Sequence, residues 1–241
     1  MKILVYTDVH ANIEALKLLQ QTEDYQTSDM KIFLGDAVVR CPYPNECLDM
    51  IFASNDIFLL GNYDYCFANG ISKYDKPSFN GEKKEHFYYM LKKVSKSNIE
   101  KLKSLPIGYS LKISGVSFYF THFAWRKVGS ITPNPEGFNP PSEKTAKLFN
   151  GIKSDYVIFG HNHKPSDLIY NNTHFICVGS LGMEYPGNYL VIEVDKNGNV
   201  KTERKQIYFD INKLKKEMLK QNYPGSMYCY NWFKNNQKPK K

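Results

Sequence analysis

Four of the six histidines, with two aspartates and an asparagine, stand just past apolar runs of the kind that form β-strands. Lys2-Ile3-Leu4-Val5-Tyr6-Thr7 leads into Asp8-Val9-His10, and Ile32-Phe33-Leu34 leads into Gly35-Asp36. Ile57-Phe58-Leu59-Leu60 precedes Gly61-Asn62-Tyr63-Asp64, and Val116-Ser117-Phe118-Tyr119-Phe120 precedes His122. Tyr156-Val157-Ile158-Phe159 precedes Gly160-His161-Asn162-His163. Carboxylate, carboxamide and imidazole groups without thiolate suit Mn, Fe or Zn. Alone, Gly35-Asp36 or Gly61-Asn62 is an ordinary turn, and a lone His122 reads as a buried, hydrogen-bonded histidine. Two imidazoles two residues apart at a strand end favour a metal over packing. Taken together and in this order, the motifs point to a two-metal centre.

The elements that must position these groups follow from the same pattern. Open α/β sheets place their sites at the carboxyl ends of the strands, and all five motifs lie there. The apolar spacing after Asp8-Val9-His10 is helical through Leu19, and Asn45 to Phe52 reads as a second helix. Residues 82–104 read as a helix in two pieces broken near Ser95, stopped by Pro106. Ser114-Gly115 and Asp195-Lys196-Asn197-Gly198 mark hairpins. Further strands are expected at 174–178, 188–194 and 200–208, with helices at 142–150 and 210–221. Tyr223-Pro224-Gly225 is expected to end the fold. The proline-rich stretch 125–142 reads as a lid or binding loop.

Bulk properties narrow the class. A chain of 241 residues, 42% hydrophobic and 15% aromatic, can bury one sizeable α/β core, so a single domain over 1–241 is expected. No stretch reaches the length of a membrane span. There is no signal-peptide anatomy, and five cysteines without a Cys-x-x-Cys suit reduced thiols. The expected location is the cytoplasm. The net charge of +8 is carried by residues 201–241, a basic helix and tail beginning at about 209; the first 200 residues are balanced. A nucleic-acid-binding body would place its basic face on the fold itself, so a solvated face is expected there and a nucleic-acid partner is not.

The series Asp-x-His, Gly-Asp, Gly-Asn-x-Asp, His and Gly-His-x-His resembles the calcineurin-like metallophosphoesterase superfamily over nearly the whole chain. Residues Asp8 to Leu16, Gly35 to Cys47, Gly179-Ser180-Leu181-Gly182 and Tyr208-Phe209-Asp210 resemble a compact bacterial branch, described as phosphodiesterases or diadenosine-tetraphosphatase-like proteins. The resemblance implies an α/β fold, a four-layer αββα sandwich of two mixed β-sheets flanked by helices. It implies that Asp8, His10, Asp36 and His163 hold one metal. Asn62, His122 and His161 would hold a second, with Asp36 bridging both. It implies two divalent ions, Mn or Fe before Zn, and a metal-bridging hydroxide attacking a small phosphodiester, nucleotide or dinucleoside polyphosphate.

Two positions depart from the family, and one addition stands out. Tyr63 stands where the family motif has a histidine that pairs with the next residue, here Asp64, to assist the leaving group. A phenol with an ordinary pKa of about 10 is a poor general acid near neutral pH, so substrates with good leaving groups are expected. Asn162 stands where the branch often has threonine. Arg40, in Gly35-Asp36-Ala37-Val38-Val39-Arg40, resembles the phosphate-contacting arginine of the serine/threonine phosphatases, and a guanidinium suits that task. Val39 replaces that element's aspartate. Tyr43, Trp125, Arg126 and Phe138 lie near the motif ends, where they could stack on a base. Asn12 either touches substrate or caps a helix. His86 is expected at the surface, and His174 is expected to pack. A protein phosphatase and a non-catalytic scaffold are the competing readings, and a homo-oligomer stays open. The scaffold would have lost ligands, and here all seven positions are filled.

Overall fold

In the computed structural model, β1 (Lys2–Tyr6), β2 (Met30–Phe33) and β3 (Ile57–Phe58) run parallel. The antiparallel strands β11 (Gly187–Val194) and β12 (Val200–Ile207) complete a sheet of order β12-β11-β1-β2-β3. The second sheet has the order β4-β5-β8-β10-β9. Its strands are β4 (Gly108–Ile113), β5 (Val116–Thr121), β8 (Tyr156–Phe159), β9 (Ser166–Tyr170) and β10 (Thr173–Cys177). Here β5, β8 and β10 are parallel, while β4 and β9 are antiparallel edges. A short ribbon pairs β6 (Trp125–Lys127) with β7 (Ser130–Ile131). The structure describes residues 1–70, 81–127, 130–131 and 142–236. Most of the expected loop at 125–142, Phe138 and the side chain of Arg126 lie outside them.

Strand patterning explains the layers. Alternate residues of β1 bury both ways. Ile3 and Val5 meet Phe118, Phe120, Ile158 and Ile176 from the other sheet. Leu4 and Tyr6 pack instead under the helices α1 (Ile13–Gln21), α3 (Pro44–Ala53), α5 (Gly81–Lys93) and α8 (Ile211–Gln221). The far face of the second sheet buries Phe159, Phe175 and Cys177 with Phe149, just past α7 (Glu143–Lys147). This is the expected four-layer arrangement of two mixed sheets flanked by helices. Each fully buried aliphatic or aromatic side chain contributes on the order of 1.5–3 kcal/mol, and the layer between the sheets holds them rigidly below the strand ends. Among the described residues no helix is long and apolar enough to cross a membrane.

Six elements were not expected from the sequence, among them the ribbon of β6 and β7 inside the stretch read as a loop. Helix α2 (Glu23–Thr27) is a single capped turn, and β9 is an edge strand with a half-exposed face. Gly61-Asn62 opens a helix, α4 (Asn62–Asn69), because the Asp64 carboxylate accepts from the Gly61 N–H across its first turn. The fold also does not end at Tyr223-Pro224-Gly225. A further helix, α9 (Ser226–Asn236), buries Cys229 and Phe233 against the first sheet's helices. Tertiary burial holds α9, because a run of Tyr, Asn, Cys and Trp has little helix propensity of its own. Phe233→Ala is expected to cost about 3–5 kcal/mol of unfolding free energy. Urea denaturation would read it, and a loss below about 1 kcal/mol would mean α9 is not part of the core.

Candidate metal centre

All seven motif residues converge at the carboxyl ends of β1, β2, β3, β5 and β8, where the two sheets meet. Asp8, His10 and His163 form one group, with one ligand atom of each lying within 4.8 Å of the others. Asp36, His122 and His161 form a second on the same criterion. Asn62 joins the second group through Oδ1, 3.1 Å from His122 Nε2. Within the first, His10 Nε2 and His163 Nε2 approach to 3.0 Å, and Asp8 Oδ1 lies 3.5 and 3.3 Å from them. Asp8 Oδ1 is fully buried and accepts no hydrogen bond among the described residues. A buried carboxylate oxygen facing two imidazole nitrogens is costly without a cation, so this donor set fits a divalent metal.

Asp36 stands between the groups. Its Oδ1 accepts from the Tyr63 backbone N–H at 2.8 Å. Its Oδ2 lies 3.4 Å from His122 Nε2 and 4.0 Å from His10 Nε2, one imidazole from each group.

Other residues set the orientation of these ligands. His10 Nδ1 lies 3.1 Å from the Val38 carbonyl, which fixes Nδ1 as the protonated nitrogen and turns the Nε2 lone pair inward. Asp8 Oδ2 accepts from the Thr7 hydroxyl at 2.7 Å and from the His161 backbone N–H at 3.0 Å. Asp64 accepts from the N–H groups of Gly61, Asp36 and Ala37, so its carboxylate shapes the Asp36 loop from beneath. Asn12 caps α1, accepting from the Ala15 N–H and donating to the Gly182 carbonyl.

The backbone is bent to this purpose. Asp8, His10, Asp36, His161 and His163 all have φ between 49° and 66°. Left-handed backbone at non-glycine residues costs on the order of 1–2 kcal/mol each and clusters at functional sites. Gly61 has no room for a side chain, because a Cβ there would run into the backbone and carboxylate of Asp36.

The charge balance is that of a cation site. Burial would raise Asp8, but His122, His10 and His163 hold its carboxyl well below the usual range. Burial also pulls His122 down, yet Asp36 and Asp8 outweigh it and hold the imidazole at about 9. Burial and the Asp36 charge push Asp64 up to about 7, against its three N–H donors. Burial holds the Tyr63 phenol above its ordinary value, so it is neutral near pH 7.

Arg40 is not a solvated turn residue. With φ 75°, it directs its Nη2 to the Tyr63 hydroxyl at 3.1 Å. Its guanidinium carbon lies 5.5 Å from the ring centres of both Tyr63 and Tyr228. No carboxylate pairs with it among the described residues. His86, expected at the surface, is only 6% exposed, with Tyr223, Pro224 and Gly225 packed against it. Its Nε2 accepts from the Arg40 backbone N–H at 2.8 Å and its Nδ1 faces the Pro224 carbonyl at 2.6 Å. Trp232 of α9 donates to the Met183 carbonyl and sets its ring 6.5 Å from that of His163. Tyr228, Trp232 and His86 were the residues missed by the sequence reading. The apolar spacing Cys229, Trp232, Phe233 was the available signal. Tyr43 instead hydrogen-bonds Glu217 on α8, Trp125 packs beside Tyr65, and His174 pairs with Asp167 at 3.3 Å.

Residues 1–197 match the Calcineurin-like phosphoesterase superfamily domain. The chain belongs to that superfamily. Calcineurin-like phosphoesterases are metal-dependent, and this one is a hydrolase acting on phosphoester bonds. It is 26% identical to the uncharacterized protein MJ0912 of Methanocaldococcus jannaschii, over 92% of this chain and 93% of that one. A metallophosphoesterase from Sphaerobacter thermophilus shares the fold with a TM-score of 0.72 and 20% identity, over 94% of this chain and 96% of that one. Hypothetical protein PH1004 from Pyrococcus horikoshii OT3 does so at 0.76 and 20%, over 95% and 96%. The helices α8 and α9 of this calcineurin-like chain lie beyond the residues that match the superfamily domain.

The His86 contacts give a pH dependence. Burial holds the folded imidazole at about 4, below the ordinary 6.5 of the unfolded chain. The unfolded state therefore binds more protons between these values. The His86 contribution is complete above pH 6.5 and falls by up to about 3 kcal/mol as the pH drops toward 4. The stability difference between the wild-type protein and His86→Gln should narrow by about 2–3 kcal/mol from pH 7 to 4.5 in chemical denaturation. A difference that stays constant with pH would contradict this.

Proposed function

We propose that this protein is a dinuclear-metal phosphodiesterase acting on a small phosphodiester or nucleotide with a good leaving group. The observation that carries the reading is Asp36 Oδ2, poised between His10 and His122, one imidazole from each ligand group. Asp8, His10, Asp36 and His163 would hold one ion, and Asp36, Asn62, His122 and His161 the other. Divalent cations bound there supply Lewis acidity toward water and phosphoryl oxygens. Manganese or iron fits the oxygen and imidazole set, as does zinc.

The chain's own residues account for the rest. Arg40, without a carboxylate partner among the described residues, offers a guanidinium to a phosphoryl oxygen beside the ligand groups. Tyr63 can donate a hydrogen bond to the departing oxygen but holds its proton too tightly to be an efficient acid. Asp64, occupied by three backbone N–H groups, positions the Asp36 loop rather than relaying a proton. A protein phosphatase reading rests on Arg40 alone, and here that guanidinium is enclosed by aromatic rings.

A Mn²⁺-dependent panel tests this. Bis-p-nitrophenyl phosphate and dinucleoside polyphosphates should be turned over faster than alkyl monoesters and a phosphopeptide. Asp36→Asn should lower turnover by at least about a hundredfold, a loss typical of removing charge stabilisation at a reacting centre. Tyr63→His should raise alkyl monoester turnover at least about tenfold, the low end of general-acid effects being larger still. Unchanged monoester turnover in Tyr63→His, or full activity in Asp36→Asn, would overturn the reading.

A further inference from the structure

Beside the metal centre, on the side away from the second sheet, α5 and α9 enclose a cavity of about 280 Å³. That is the low end of small-molecule sites, enough for one planar ring system and little more. Its apolar walls are Val39, Tyr63, Phe87 and the half-exposed Tyr228. Arg40 and Lys83 bring two positive charges to it. Glu82 is the acid among the described lining residues, and one of its carboxylate oxygens accepts from the Gly225 N–H at 3.0 Å, tying α5 to the start of α9. His86 is neutral and fully engaged between Arg40 and Pro224. A second, smaller cleft is lined by Arg40, Tyr228, Met183, Trp232 and the proposed ligand His163. Arg40 and Tyr228 therefore form the wall common to the cavity and the metal centre.

We propose that this cavity holds the aromatic, nucleoside-type group attached to the phosphate that Arg40 receives. The inference rests on the phosphoesterase reading and adds the place and chemistry of substrate recognition. The aromatic walls offer stacking to a flat heterocycle, which is worth about 1–3 kcal/mol per base. Arg40, already stacked between two tyrosines, faces the phosphate at the mouth of the cavity. Lys83 adds attraction for a further phosphate of a nucleotide or polyphosphate. Tyr228 comes from α9, beyond the residues that match the superfamily domain, so the selectivity belongs to this chain's own C-terminal helix.

Calorimetric titration of the Mn²⁺-loaded protein with AMP, ADP, ribose 5-phosphate and inorganic phosphate tests this without turnover. AMP should bind at least about tenfold more tightly than ribose 5-phosphate, the fold-change expected of one stacked base. Tyr228→Ala should remove most of that advantage. In the same titration, Lys83→Glu, on an exposed position of α5 that leaves the core untouched, should weaken ADP more than AMP. Equal affinity for AMP and ribose 5-phosphate would overturn the proposal even if esters are hydrolysed. An AMP preference over ribose 5-phosphate that Tyr228→Ala leaves unchanged would place the base elsewhere and also overturn it. Base-selective binding lost in Tyr228→Ala, with no turnover of any ester, would uphold the cavity and count against the phosphoesterase reading alone.

Discussion

The candidate metal centre depends on one contact between the two sheets, the hydrogen bond from the His161 backbone N–H at the end of β8 to Asp8 Oδ2 at the end of β1. Gly160 lies so close to Thr7 and Asp8 that any side chain there would displace them. The segment 180–182 closes the same junction from the other side. Leu181 and Gly182 donate to the Thr7 and Asp8 carbonyls, and the Ser180 hydroxyl donates to the latter. Asp8 Oδ1 is left facing His10 and His163, while His161 turns toward Asp36 and His122. A shift between the sheets would separate both groups at once. The apolar layer of Ile3, Val5, Phe120 and Ile158 sets the separation from below.

Strain and charge are concentrated at this junction and offset elsewhere. Five of the proposed ligand residues take left-handed backbone. Two buried carboxylates, Asp8 and Asp36, are balanced mainly by imidazoles. Each left-handed residue costs an amount comparable to the gain from one buried strand side chain. The sandwich can bear that cost because its central strands, β1 and β8 among them, are buried on both faces. The same reasoning explains Asp64, which serves by accepting the N–H groups that hold the Asp36 turn closed.

The strand-end motifs were legible in the sequence because ligation restricts residue type. Few side chains other than Asp, His and Asn satisfy such a site, so their order survives as a pattern. The apolar runs and hairpin turns gave the strands, and the two mixed sheets followed from the family resemblance. What stayed hidden was decided by tertiary contact. His86 lies on the charged helix α5, which reads as exposed, and the segment Tyr223-Pro224-Gly225 packs against it from far along the chain. Helix α9 itself lacks strong helix formers and follows Pro224-Gly225, a stop signal in the sequence. Its Cys229 and Phe233, four residues apart, take their meaning from a core that the local sequence does not describe. The phosphate-binding expectation for Arg40 came from its motif, but its enclosure by Tyr228 was hidden because that ring comes from nearly two hundred residues away in the chain.

The central claim is that one carboxylate, Asp36, joins two cations. Electron paramagnetic resonance of the Mn²⁺-loaded protein, together with metal analysis, tests it most directly. The account predicts two manganese ions per chain with an exchange-coupled spectrum, and a spectrum of uncoupled ions in Asp36→Asn. One ion per chain, or two that remain uncoupled in the wild-type protein, would contradict it.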